Sequence, residues 1–251
     1  MTAAFSVAPS VAPSAAFAAL LAHPAIWRGD TCAPEPSALP SGFAALDAVL
    51  PGRGWPQGAL TEMLLEQEGI GEIRLALPAL ARVQAQGRDV VWIAPPHRPY
   101  APALAAAGLD LARLHVVHCR EPKDALWAFD QALRAPECGA AFAWLSTHDE
   151  RALRRLQVAA REGRTWGVLW RRPGQRGNAT AAPLRLALSP HLGPHLGPHL
   201  GQLAVRVLKR RGADLPQPVL LDVGRPAFTP APTSAAPLPP AASPRLKSGT
   251  Q

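Results

Sequence analysis

The sequence predicts an α/β fold with a mostly parallel central sheet flanked by helices and antiparallel strands at the C-terminal end. Two observations predict it. From Leu46 onward, apolar runs of strand length alternate with helical patterns, the βαβα order of a parallel sheet covered on both faces. After Trp170 the pattern changes to "PLRLAL", "QLAVRVLKRR" and "PVLLDV", whose alternation of apolar and polar residues suits an antiparallel meander.

Residues 1–36 form an Ala/Pro-rich N-terminal segment. Within it Ser14 to Trp27 sets Phe17, Leu20, Leu21, Ile26 and Trp27 near helical spacing, so a short amphipathic helix is expected at about 14–27. The stretch "CAPEPSALPSG" reads as a linker to the main domain, residues 37–225. There the expected strands are Ala59 to Leu65, Asp89 to Ala94, Leu114 to Val117, Ala140 to Leu145 and Trp166 to Trp170. The helix between the first two carries Ile73, Ala76, Leu77, Leu80 and Val83, stops at Gly87, and should kink at Pro78. Leu104, Ala105 and Ala107 mark the next helix, ended by Gly108. Ala125, Leu126, Phe129 and Leu133 mark a third; Leu153, Leu156 and Ala160, ended by Gly163, a fourth. In the 191–201 loop, "HLGPHLGPHLG", Gly and Pro every fourth residue forbid the helix that would align the histidines on a metal. Residues 226–251 are Pro/Ala-rich without periodicity, the composition of a disordered tail.

The formal charge of +8 conceals an asymmetry: residues 1–150 carry 10 Lys/Arg against 15 Asp/Glu, and residues 151–251 carry 16 against 3. A basic half suits nucleic acid, an acidic protein surface or a membrane surface; Arg and Ala abundance in a GC-rich genome produces the same excess. The three cysteines lack CxxC spacing, which points to neither zinc nor a disulfide framework. With no signal peptide and no long uncharged apolar run, a cytoplasmic, nucleoid-associated protein without membrane contact is expected.

The stretch "EQEGIGEI" lies between a strand and a helix, where a phosphate-binding loop belongs. Such a loop needs glycines for backbone amides to cradle phosphate, a Lys for the outer phosphates and a hydroxyl for magnesium. Gly69 and Gly71 are glycines, but Glu66 stands at the first glycine position, Glu72 at the lysine and Ile73 at the hydroxyl. A carboxylate in place of an ammonium exchanges attraction for repulsion, each about 4 kcal/mol at contact for an effective dielectric near 20. No cofactor, metal or catalytic residue is expected.

The flanks carry a resemblance. "LPSGFAALDAVLPGRGWPQGALTEMLL", with Gly42, Leu46, Asp47, Gly52, Gly54 and Gly58, resembles the RecA-type approach to the P-loop. "WIAPPHRPYAPALAAAGLDL", "DALWAFDQALR" and "RALRRLQVAAREG" look like the ImuA family of RecA-like accessory proteins, and the likeness covers roughly residues 14–225. Against RecA-type ATPases, Pro96 precedes His97 where the catalytic glutamate should follow the second strand. The fourth strand runs into Ser146 and Thr147, and Asp149 comes too late to hold magnesium.

The resemblance implies a non-catalytic adaptor of damage-induced translesion synthesis. Its implied partners are an ImuB-like Y-family protein and, indirectly, an error-prone DnaE-type polymerase, with RecA and single-stranded DNA as further contacts. Phe17, Leu20, Leu21, Ile26 and Trp27 are the partner-binding candidates. Lys209 and Arg211 match paired basic residues of the late RecA strands; with Arg171, Arg172 and Arg210 they are candidates for DNA or a partner. Trp92, Trp127, Trp144, Trp166 and Trp170 are expected in the core. The alternatives are a SulA-like inhibitor of cell division and an active RecA-like ATPase.

Overall fold

The computed structural model describes residues 38–145, 149–172, 180–191, 202–210 and 217–224. The N-terminal segment, the repeat beyond His191, Arg211 and the tail lie outside the described residues.

A two-stranded ribbon, β1 (Ala38–Leu39) with β2 (Trp55–Pro56), brackets the short helix α1 (Ala44–Asp47). The Gly and Leu-Asp of this approach have separate physical roles. Gly42 takes a φ of +90°, and a Cβ there would lie 2.5 Å from Pro78 Cβ; Leu46 is fully buried; and Asp47 Oδ1 accepts the Ser41 amide at 2.9 Å.

The main sheet holds β3 (Ala59–Leu65), β4 (Asp89–Ile93), β5 (Leu114–Val117), β6 (Cys138–Trp144), β7 (Trp166–Arg171), β8 (Leu184–Pro190), β9 (Gln202–Lys209) and β10 (Val219–Asp222). Their order is β10-β9-β8-β3-β7-β6-β4-β5. The fold class expected from the sequence is the one observed. β8 joins β3 in parallel, and β8, β9 and β10 then pair antiparallel in succession, the meander expected from the sequence.

Each face has its own helices. α2 (Glu72–Ala85) puts Leu75, Ala76, Ala79, Leu80 and Val83 on one face. α4 (Pro122–Arg134) and α5 (Glu150–Gly163) bury Ala125, Phe129, Leu133, Leu153 and Leu156 on the other. α3 (Ala101–Ala106) follows β4. Pro78 lacks an amide hydrogen, yet α2 remains one α-helix through it, with Pro78 buried and Gly42 leaving room for its ring.

Strand alternation lines the α2 face with aromatic rings. Trp55 stacks on Trp166 at 5.0 Å, Phe142 meets Trp166 edge-on at 5.2 Å, and Trp144 stacks on Trp170 at 5.9 Å. Trp92, Trp166 and Trp170 are buried, as expected, and Trp144 is half-buried. Trp127 is a correction: it is 65% exposed on α4. At 100° per residue it points away from Ala125, Phe129 and Leu133.

The α4 and α5 C-termini meet backbone to backbone. Arg88 donates to the carbonyls of Arg164 (2.9 Å) and Gly163 (2.8 Å), satisfying acceptors at the end of α5 with a cation, and to that of Cys138 (2.5 Å) at the start of β6. A Cβ on Gly163 would collide with the Leu133 carbonyl oxygen. Gly163→Ala is therefore expected to cost about 2 kcal/mol or more and to lower the melting temperature by roughly 4–8 °C. A thermal melt within about a degree of wild type would contradict this contact.

Candidate functional site

The loop at 66–71 follows β3 at the carboxyl ends of the parallel strands, the edge where open α/β sheets take ligands. Gly69 and Gly71 have φ of +80° and +101°, conformations that glycine adopts without a Cβ penalty. Glu72 opens α2 and is only 7% exposed. Its Oε1 accepts the Gly69 amide at 3.0 Å, so the chain's own carboxylate takes a loop amide. An acid at this helix end also suits the macrodipole.

Two further features fill the loop's surroundings. Val223, just after β10, leans on Gly71: a Cβ there would sit 2.7 Å from Val223 Cγ2. Glu68 Oε2 meets His97 Nε2 at 3.0 Å, tying the loop to the segment after β4. Ile73, where magnesium chemistry would require a hydroxyl, lines a cavity of about 530 Å³ with Leu77, Trp92, Tyr100 and Ala103. A second cavity of about 630 Å³ opens at the ends of β3, β6 and β7 between Glu66, Glu68, Trp144, Trp170 and Arg172. Among the described residues no group of three His, Cys, Asp or Glu is placed to hold a metal ion.

The described basic candidates differ in exposure. Arg171 has a side chain 1% exposed and pairs with Glu62 at 3.1 Å, so it cannot present its guanidinium to DNA or a partner as it is placed. Arg172 is exposed beside the second cavity. Lys209 donates to the Thr180 carbonyl at 2.7 Å and half-buried Arg210 to the Val49 carbonyl at 2.6 Å. Arg211 and the five apolar candidates between Phe17 and Trp27 lie outside the described residues.

Glu62 was not singled out from the sequence. It is fully buried on β3 between β7 and β8 and binds Arg171, Arg185 (3.1 Å) and the Thr180 hydroxyl (2.5 Å). An acid inside the apolar run "ALTEMLL" was its signal, since a buried charge requires partners.

Two of the three cysteines, Cys119 and Cys138, lie among the described residues, and both are free thiols. Burial pushes the Cys138 thiol up to about 12 and also raises Cys119, the latter helped by nearby Asp124. Asp89 is held low, first by its hydrogen bond to His115 and then by His115 and Arg113 charge, against the opposing effect of burial. It belongs to an exposed ion-pair cluster at the amino end of β4.

The family model described as "Cell division inhibitor SulA" matches residues 58–167, from the entry to β3 to the start of β7. "Protein ImuA" of Caulobacter vibrioides is 32% identical over 147 residues, 57% of this chain and 60% of the relative. "Cell division inhibitor SulA" of Edwardsiella piscicida is 32% identical over 112 residues, 44% of this chain and 66% of the relative. "Protein RecA" of a Picosynechococcus species is 33% identical over 112 residues, 32% of its length. The chain thus spans about 60% of the length of the ImuA relatives it matches. Over its central part the chain is similar to ImuA, to the SulA family model and to RecA, on an α/β sheet of mostly parallel strands.

Proposed function

We propose that the protein is a non-catalytic, RecA-like adaptor of a damage-induced mutagenic translesion synthesis complex. It binds an ImuB-like Y-family protein and through it supports an error-prone DnaE-type polymerase, with RecA and single-stranded DNA as further contacts. The observation that carries the reading is the Glu72 carboxylate on the Gly69 amide: the chain's own acid takes a loop amide, which favours surfaces and termini as the working parts. Similarity to ImuA supplies the system.

The N-terminal segment with Phe17, Leu20, Leu21, Ile26 and Trp27 is the proposed partner-binding element. Deleting residues 1–36 is expected to abolish co-purification with the ImuB-like protein while the thermal melt of the main domain is kept. Undiminished co-purification would assign binding elsewhere.

The SulA-type segment over 58–167 favours a second reading, inhibition of cell division through the division protein FtsZ. Against it stand β8, β9 and β10, which lie beyond that segment. Filamentation on expression, with FtsZ bound and ImuB ignored, would select the inhibitor. In either role the protein acts without crossing a membrane, and none of the described helices is long and apolar enough to do so.

A further inference from the structure

We infer that the apolar cavity beside the loop is the seat of this chain's own Pro-rich C-terminal segment, with Phe228 as the side chain that fills it. The cavity, about 530 Å³, has the size of clefts that take small ligands, roughly 300–1,000 Å³. Its wall is apolar and aromatic. Phe43, Ile73, Leu77 and Trp144 pack on the core yet stay half-buried, and Tyr100 is 72% exposed. Aromatic-lined grooves of this kind are where extended Pro-rich segments dock.

The point where the chain leaves the described structure selects the occupant. Val223 and Gly224, at the end of the last described stretch, line the same cavity, and Val223 rests on Gly71. The sequence continues as "RPAFTP", residues 225–230. Proline fixes its own φ near −65° and biases the residue before it toward extended backbone, so this stretch favours the polyproline II form. At about 3.1 Å per residue, Phe228 comes roughly 12 Å beyond Gly224, and it reaches the cavity without a long closing loop.

Composition agrees with that placement. Phe228 is the only aromatic residue after Trp170, and residues 226–244 carry no charge. The acids and guanidinium groups lining the cavity are matched, Glu68 and Glu72 against Arg74 and Arg98, which suits an uncharged, apolar occupant.

A hydrogen-bond donor points the same way. Among the described residues the buried indoles of Trp55, Trp92 and Trp170 have no acceptor for their N–H, and of these Trp92, 3% exposed, lines this cavity. A buried donor without an acceptor is costly. Polyproline II backbone makes no internal hydrogen bonds, so its carbonyls are free to accept from Trp92. The N-terminal segment instead joins the described chain at Ala38 in β1, which is not part of the cavity wall. The inference is thus independent of the partner that segment binds.

The test places a photoreactive benzoylphenylalanine at position 228 of the purified full chain, irradiates it and maps the adduct by mass spectrometry. The expected adduct is intramolecular, on residues 73–78 or 95–107, with a yield independent of protein concentration. Ala103→Arg, at an exposed residue of the cavity wall, should lower that yield by at least about tenfold, with the thermal melt held within about 2 °C. In the protein without the photoreactive group, Phe228→Ser should speed amide exchange across α3 by about tenfold or more, and Leu238→Ser should leave it unchanged. An adduct elsewhere in the described structure, on the N-terminal segment or on a second copy, a yield indifferent to Ala103→Arg, no adduct, or α3 exchange indifferent to Phe228 would each overturn the inference.

Discussion

Glu62→Ala is expected to lower the stability of the fold by about 3–5 kcal/mol. Glu62 is fully buried, and its two oxygens lie 3.1 Å from the guanidiniums of Arg171 and Arg185, both almost fully buried as well. Removing the acid leaves two cations facing each other without the anion between them. Breaking a buried ion cluster from one side costs about 3–5 kcal/mol, a large part of a total stability of roughly 5–15 kcal/mol. Replacing all three, as Glu62→Leu with Arg171→Met and Arg185→Met, should recover most of the loss, because well-packed apolar groups can stand in for a buried ion cluster. Urea unfolding of the single and triple variants measures both effects. A single variant within about 1 kcal/mol of wild type would show that the cluster contributes little.

Glu72→Lys rewrites the loop toward the sequence of a working phosphate site. It is nevertheless expected to cost about 3 kcal/mol and to confer no binding of magnesium-ATP. The cost has three sources: loss of a charge-assisted hydrogen bond to the Gly69 amide, worth about 1.5–3 kcal/mol; an ammonium set against the positive end of α2 in place of an acid that suited it; and burial, since the position is only 7% exposed. Binding is not gained, because Val223 remains on Gly71 and Ile73 still offers no oxygen to magnesium. Glu72→Gln keeps an acceptor and should cost about 1 kcal/mol or less. Denaturant melts with and without magnesium-ATP read out both claims. A Lys variant as stable as wild type, or one stabilised by the nucleotide, would refute this account of the loop.

Most of the parallel sheet was legible because parallel strands are buried on both faces and read as unbroken apolar runs. β3 and β5 begin and end where those runs do, and Gly87, Gly108 and Gly163 mark helix ends. Trp127 was legible too, had the helical spacing of Ala125, Phe129 and Leu133 been weighed above its apolar character. The close approach of Gly42 to Pro78 was not, because it joins residues thirty-six positions apart on different elements.

The site divides in the same way. The sequence by itself determined that the loop carries acids where a phosphate site needs a lysine, since that is a matter of side-chain identity within eight residues. It also determined the order of strands and helices, which follows from local periodicity. Only the tertiary structure decided that Glu72 turns inward to its own loop, that Val223 closes over Gly71, and that Arg171 is a buried partner of Glu62. Arg171 and Glu62 are 109 residues apart in the chain and become neighbours only because β3 and β7 pair in parallel. Local pattern states which residues can be charged or apolar; whether a given arginine meets solvent or a buried carboxylate is fixed by strand pairing that brings distant segments together.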